Sequence, residues 1–311
     1  MDENPMSPRH LLNIQDLPVN TLLELLSSAQ QIIDRGWHRE GASHLLAHKT
    51  LINLFFETST RTRVSFELAA KRLGMTVVNI DIANSAMKKG ESLLDTLYTL
   101  QAMVCHFMVI RHNENFIPDY VAEHIAPPTS VINAGDGTHA HPSQALIDML
   151  TIRQHKGDFT PLRVAIVGDI KHSRAARSQI VALQKLNVGE IRLIGPAHLL
   201  PEDLPGTHYH DMDAGLANVD VIMLLRIQKE RMQTNDMPDE ASYFKQFGLS
   251  KSRLKLAKPD AIVMHPGPIN RDIEIASELV NNPQTIIYQQ VANGVPMRMA
   301  ILMHLQQLQA E

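Results

Sequence analysis

The stretch LINLFFETSTRTRVSFELAAKRLG, residues 51–74, decides how the rest of the chain is read. Leu51 to Phe56 is an apolar run interrupted only by Asn53, the composition of a strand buried on both faces. From Arg61 to Leu73, Phe66, Ala69, Ala70 and Leu73 recur at helical spacing. Between strand and helix stand Thr58, Ser59, Thr60, Arg61, Thr62 and Arg63. A strand that turns directly into a helix leaves backbone N–H groups and the positive end of the helix dipole at the junction. Hydroxyls and guanidinium forks there would complete a receptor for a compact anion such as phosphate. An ordinary Ser/Thr N-cap followed by solvated arginines fits the same letters.

The pattern repeats outward. Residues 17–33 form an amphipathic helix with Leu22, Leu23, Leu25, Leu26 and Ala29 as its stripe. Short apolar runs follow at 51–56, 76–80, 106–110 and 131–135, then at 162–168, 191–195, 221–225 and 261–265, with helical stretches between them. Strands of this kind alternating with helices indicate parallel sheets covered on both faces. The expected fold is two doubly wound parallel-sheet α/β domains with the active site in the cleft between them. RQHKGDFTPLR (153–163) breaks one helix before the next strand, so the domains are expected at 1–156 and 157–291. The final helical segment, 292–311, is assigned back to the first.

With 311 residues, 44% hydrophobic and 20% charged, the chain can bury two cores. A formal charge of −4 gives no reason to expect nucleic acid as a partner, so any basic site must be local. The single cysteine, Cys105, excludes an internal disulfide framework, suits a reducing cytoplasm and reads as a core residue. MDENPMSPRH lacks a signal-peptide pattern. The most apolar run, AMVCHFMVI (102–110), is cut by His106 and is far short of a membrane span, so no membrane partner is expected.

In parallel α/β sheets, ligands bind beyond the carboxyl ends of the strands. In the first half those ends carry ETSTRTR after Phe56, Ser85, Lys88 and Lys89 after Ile80, Arg111 after Ile110, and DGTHAHPSQ after Gly135. Pro142 suits a first helical position, which puts His141 near the N-cap and Gln144 in the first turn. Four strand ends thus offer cations, hydroxyls, histidine and glutamine with almost no carboxylate, and the anion reading gains over the capping one.

The second half places Arg174 after one strand, Arg226 and Gln228 after another, and His265-Pro266-Gly267-Pro268 after a third. Two arginines suit a ligand with two carboxylates, each gripped by a fork. Local pairing of Arg174 with Asp169 and of Arg226 with Glu230 is the plainer alternative for either arginine taken alone. Other classes lack their signatures: there is no GxxxxGK[ST], no GxGxxG and no GxSxG. THAH (138–141) is better used at a helix start than on a metal, and HYHDMD (208–213) reads as a solvated polar loop; no metal and no cofactor is assigned.

STRTR (59–63), KKGE (88–91), RH (111–112), HPSQ (141–144), R-x-Q-x-E (226–230) and HPGP (265–268) occur in the order and at the separations found in carbamoyltransferases. The chain resembles that family along nearly its whole length. R-x-Q-x-E and HPGP are similar to the aspartate branch; the HCLP and D-x-x-x-S-M-G segments of the ornithine branch do not occur. The resemblance implies that residues 1–156 with 292–311 bind carbamoyl phosphate and that residues 157–291 bind L-aspartate. Ser59, Thr60, Arg61 and Thr62 would hold the phosphate, and Arg111, His141 and Thr62 the carbonyl oxygen. Gln144 and the backbone carbonyls of Pro266 and Gly267 would face the amino group. Some relatives carry leucine at the position of Gly267, which a backbone role tolerates. Lys89, Arg174, Arg226 and Gln228 would bind aspartate, with Ser85 and Lys89 reaching in from an adjacent subunit of a homotrimer. Regulatory or dihydroorotase-like chains are partners of some family members.

Overall fold

A computed structural model describes residues 9–80, 90–232 and 239–310; Ser85 and Lys89 lie outside the described residues. The chain divides into unit 1, Met1–Leu150 with Ala292–Glu311, and unit 2, Thr151–Val291.

Unit 1 opens with α1 (Val19–Asp34) and the short α2 (Trp37–Glu40). It continues through β1 (Thr50–Phe55), α3 (Thr60–Arg72), β2 (Thr76–Ile80), α4 (Leu93–Ala102), β3 (Phe107–His112), α5 (Ile117–His124) and β4 (Ser130–Asp136). The first turns of α6 (Pro142–Lys156) complete this run. The sheet is parallel, in the order β2-β1-β3-β4. Its central strands are apolar because helices cover both faces: Leu51, Leu54, Phe107, Met108, Val109 and Ile110 are all buried. The edge strand β2 departs from that pattern. Thr76, Val78 and Asn79 are exposed, since only one side of an edge strand has a neighbour. On α1 the stripe Leu22, Leu25, Leu26 and Ala29 is buried with Ile32, whereas Leu23 points outward.

Unit 2 runs through β5 (Arg163–Val167), α7 (Arg174–Lys185), β6 (Glu190–Ile194), β7 (Thr207–Tyr209) and α8 (Met212–Leu216). It closes with β8 (Val221–Leu224), α9 (Glu240–Phe247), α10 (Lys251–Leu254), β9 (Ile262–Met264) and most of α11 (Ile287–Ala292). The parallel order is β7-β6-β5-β8-β9. The strand β7 falls in a segment read from sequence as loop. At three residues it is too short, and too polar, to show a period. The chain then returns to unit 1 as α12 (Gly294–Ala310), which packs on α1 and α3. Among the described residues no helix is long and apolar enough to cross a membrane.

Candidate active site

In unit 1 the decisive local feature is the start of α3. Ser59 occupies the N-cap position in extended conformation, with φ −157° and ψ 109°, but its side chain makes no capping hydrogen bond. Other helices begun by serine behave differently: Ser92, Ser173 and Ser250 accept from the N–H groups of Asp95, Ala176 and Arg253. Nor does α3 have an acid in its first turn; it carries Arg61 and Arg63, the sign that a helix N-terminus disfavours. Ser59 is not acting as an ordinary cap. Thr62 is buried, while Thr60 and Arg61 reach solvent.

Arg111 is set beside this turn by strand register, since Phe55 of β1 pairs with Arg111 of β3. The β3–β4 ladder then slips between Ile110 and His112, an irregularity of the kind that re-aims side chains at sheet ends. The Arg111 Nε lies 2.6 Å from Oε1 of Glu57, and Nη1 donates to the Ala134 carbonyl at 3.3 Å. This corrects the expectation that the strand ends hold almost no carboxylate: Glu57 and Asp136 are both there. Glu57 directly follows the β1 run, so its sign was available in the sequence.

Asp136 is fully buried and builds the turn from β4 to α6. It accepts from the N–H groups of Phe116 (2.7 Å) and Ala140 (3.1 Å), from Asn133 Nδ2 (2.8 Å), and bonds His139 Nδ1 (2.9 Å). Burial works to raise its pKa, but the hydrogen bonds from His139, Asn133 and Phe116 win and hold it below the usual carboxylate range. Asp119, Asp136 and His139 bring one ligand atom each within 4.8 Å of one another, but these bonds already engage both Asp136 oxygens. The turn delivers His141, buried, to the position just before α6. One turn on, Gln144 Nε2 donates to Asp148 Oδ1 at 2.8 Å, which leaves the amide oxygen as the end with acceptor chemistry for a ligand. The Gln144–Asp148 pair has the helical i, i+4 spacing.

Arg298 of α12 was not singled out from sequence. It is buried, donates through Nη1 to the Gly294 carbonyl at 3.1 Å, and lies 4.8 Å from the centre of the Phe66 ring of α3. Burial, followed by the positive field of Arg111, pushes its pKa down to about 9 against the opposing pull of Asp148. Cys105 donates to the Phe107 carbonyl at 3.2 Å, and burial pushes its thiol up to about 12, so it is a core residue and a poor nucleophile.

In unit 2, register aligns three strand ends, with Val167 opposite Leu224 and Met223 opposite Met264. Gly168 follows β5 with φ +125°, and a Cβ there would stand 2.6 Å from the Leu225 carbonyl; only glycine allows the two strand ends to approach so closely. Asp169, fully buried, accepts the Gln228 N–H (3.0 Å) on one oxygen. Its other oxygen takes the His172 N–H (3.2 Å) and bonds His172 Nδ1 (2.8 Å). Asp169 thereby ties the end of β5 to the segment that follows β8.

That segment holds Arg226, Gln228 and Glu230. Arg226 forms a two-pronged pair with Glu230: Nη1 donates to Oε2 at 3.0 Å and Nη2 to Oε1. Nη2 also donates to Gln228 Oε1 at 3.0 Å. The plainer sequence alternative, a local Arg226–Glu230 pair, is therefore present. The hydrogen bond to Glu230 raises the Arg226 pKa. Burial alone would raise that of Glu230, yet the Arg226 fork brings it below its ordinary value. Arg174 is the first residue of α7 rather than part of a strand-end loop, and it is buried. Pro266 and Gly267 follow β9 and are half-buried. The segment 208–213 is structural. His208 lies in β7, Asp211 caps α8 through the N–H groups of Asp213 and Ala214, and Asp213 pairs with Arg253 at 2.8 Å.

Residues 9–154 match the family described as "Aspartate/ornithine carbamoyltransferase, carbamoyl-P binding domain", and residues 161–305 match its "Asp/Orn binding domain". Aspartate transcarbamoylase from Trypanosoma cruzi, in complex with aspartate and phosphate, is 30% identical, with a TM-score of 0.83 over 96% of this chain and 95% of that one. This chain belongs to the aspartate/ornithine carbamoyltransferase family. The same T. cruzi enzyme in complex with carbamoyl aspartate and phosphate superposes with a TM-score of 0.85 at 30% identity, over 96% of each chain. Ornithine carbamoyltransferase from Thermus thermophilus, at 24% identity and a TM-score of 0.84 over 96% of this chain and 99% of that one, shares the fold. The two α/β units are the two-domain architecture of this family.

Proposed function

We propose that this carbamoyltransferase moves the carbamoyl group of carbamoyl phosphate to the amine of L-aspartate. The products are N-carbamoyl-L-aspartate and phosphate, the committed step of de novo pyrimidine biosynthesis. The observation that carries the reading is the uncapped, cationic start of α3, an anion receptor by dipole, hydroxyls and guanidinium together. The aspartate and carbamoyl aspartate bound by the T. cruzi relative support the choice of acceptor, as does the R-x-Q-x-E segment.

In this reading Ser59, Thr60, Arg61 and Thr62 hold the phosphate, and Arg111, His141 and Thr62 donate to the carbonyl oxygen. The Gln144 oxygen and the carbonyls of Pro266 and Gly267 accept from the amino group. Arg174, Arg226 and Gln228, with Lys89 of the adjacent subunit, take the aspartate carboxylates. On Arg226 a substrate carboxylate takes over the fork that Glu230 fills. As the amine attacks, negative charge grows on the carbonyl oxygen before phosphate leaves. Donors already aimed there lower the barrier, each worth roughly 3–4 kcal/mol when removed. Arg61 and Lys89 balance the charge gathering on the phosphate. Holding both reactants in place contributes on the order of 7–11 kcal/mol more. The chemistry needs neither a covalent nucleophile nor a metal. The active unit is a cytoplasmic homotrimer with Ser85 and Lys89 contributed across subunits, alone or joined to regulatory or dihydroorotase-like chains.

The test is phosphate release from carbamoyl phosphate by the purified chain, with L-aspartate and L-ornithine in parallel. Aspartate-dependent release with formation of carbamoyl aspartate is the expected result. Release with ornithine alone would overturn the acceptor, and silence with both would overturn the activity.

A further inference from the structure

The loop after β9 is held by a buried pair that the proposed reaction does not use. His265 and Glu274 are each 1% exposed, and His265 Nε2 lies 3.1 Å from Glu274 Oε1. The same Oε1 accepts the Asn270 N–H at 2.6 Å, while His265 Nδ1 accepts the Gly267 N–H at 2.8 Å. A neutral imidazole that accepts at Nδ1 carries its hydrogen on Nε2, so the ring donates to Glu274 and receives from Gly267. The His265 N–H is itself held by the buried Gln290 through Oε1 at 3.0 Å. Both ends of the loop are thus tied to one ring and one carboxylate oxygen. Glu274 Oε2 has no hydrogen-bond partner among the described residues, so the buried carboxylate serves the loop through a single oxygen.

The consequence lies in one peptide plane. The Gly267 N–H and the Pro266 C=O belong to the same peptide unit, which is trans, and they point in opposite directions. Pinning the N–H onto His265 Nδ1 therefore turns the Pro266 carbonyl away from the buried imidazole. Among the described residues neither the Pro266 nor the Gly267 carbonyl accepts a hydrogen bond.

We propose that His265 and Glu274 are positioning residues that aim the Pro266 carbonyl and so set the preference for an amino group on the phosphorylated substrate. The proposal rests on the reading of these carbonyls as acceptors for carbamoyl phosphate. Acetyl phosphate, with a methyl where carbamoyl phosphate has NH2, is the probe. The measurement is the ratio of the two dissociation constants for the full chain, with inorganic phosphate as the control. The wild type binds carbamoyl phosphate more tightly. In His265→Leu that preference falls about tenfold, the size of one lost hydrogen bond, while inorganic phosphate affinity moves less than about twofold. Glu274→Leu shows the same loss. Glu274→Gln, which keeps an acceptor oxygen, restores most of the preference, a rescue that a merely structural role would not confine to one ligand.

A folded His265→Leu with the wild-type ratio overturns the proposal. Should that variant fail to fold, His265→Phe decides. Its ring fills the same space but offers the Gly267 N–H no acceptor; a reduced ratio supports the brace and an unchanged ratio overturns it. A wild type that does not distinguish the two acyl phosphates would overturn the reading of the carbonyls themselves, and the brace with it. That outcome is separate from one in which the wild type discriminates and the variants do so equally well.

Discussion

Asp169→Asn isolates the aspartate half of the proposed site. The carboxylate is fully buried and receives donors on both oxygens, Gln228 N–H on one and the two His172 groups on the other. Asparagine keeps a single oxygen. If that oxygen stays with His172, the new NH2 faces the Gln228 N–H, donor against donor in a dry site, at a cost of about 1–3 kcal/mol. The strain is relieved by movement of the segment that carries Arg226 and Gln228, joined to each other by the Nη2 to Oε1 bond. A loss of about 1–2 kcal/mol in transition-state binding lowers kcat/KM for aspartate roughly 5- to 30-fold. Initial rates against aspartate at saturating carbamoyl phosphate would measure it, with calorimetric binding of inorganic phosphate as the control. Phosphate affinity should stay within about twofold, since its proposed ligands are in unit 1. An aspartate KM and kcat close to wild type in a folded variant would refute the reasoning. So would an equal loss of phosphate affinity, because the lesion would then be global.

Arg61→Ala should remove most turnover and most inorganic phosphate binding while the chain stays folded, as steady-state rates and circular dichroism would show; a near-normal rate would remove Arg61 from the site. If sites are shared, mixing inactive Arg61→Ala and Lys89→Ala chains under subunit exchange should restore some activity, and exchange without recovery would count against the trimer. Acid should weaken unit 1 through His10, whose Nδ1 accepts the Val131 N–H at 2.9 Å and whose pKa is pushed down to about 4 by burial and then by Arg9. The folded state favours the neutral ring, so this contribution is complete above about pH 6.5 and is lost as pH falls toward 4, reaching about 2 kcal/mol by pH 5. Urea unfolding at pH 7.5 and pH 5 should show a smaller acid loss for His10→Asn than for wild type, and equal losses would clear His10.

Much of the architecture was legible because the parallel strands are covered on both faces and their letters stay apolar, from Leu51–Phe55 to Val221–Leu224. Candidate site residues could be sought at strand ends because parallel sheets of this kind keep ligands there. What could not be read was partnership. Arg226 and Glu230 stand four apart in the sequence, and nothing in that spacing says whether the arginine faces a ligand, its neighbour or each in turn. Glu57 and Arg111 are 54 positions apart and meet only because Phe55 and Arg111 share a register. Arg298 lies in a segment read as an ordinary helix, and its burial against Phe66 is purely tertiary. The strand β7 was missed because three residues at a sheet edge need no periodicity.

The start of α3 joins the stability of the fold to its proposed use. Serine at an N-cap contributes about 1 kcal/mol when its oxygen accepts from the first turn, and a favourable charge there adds about 0.3–1 kcal/mol. Ser92, Ser173 and Ser250 make that bond in their helices. Ser59 forgoes it, and Arg61 and Arg63 stand where an acid would help. The helix therefore begins less stably than its letters allow. Arg298 adds a buried cation nearby, unfavourable enough to be pushed well below the ordinary arginine pKa. In the proposed site a phosphate dianion would reverse the sign of the terms at α3: it would accept from hydroxyls and backbone N–H groups, suit the dipole and meet Arg61. On the proposed reading, interactions that cost the helix stability are recovered when phosphate binds, which is what a binding site requires and a solvent-facing helix end does not.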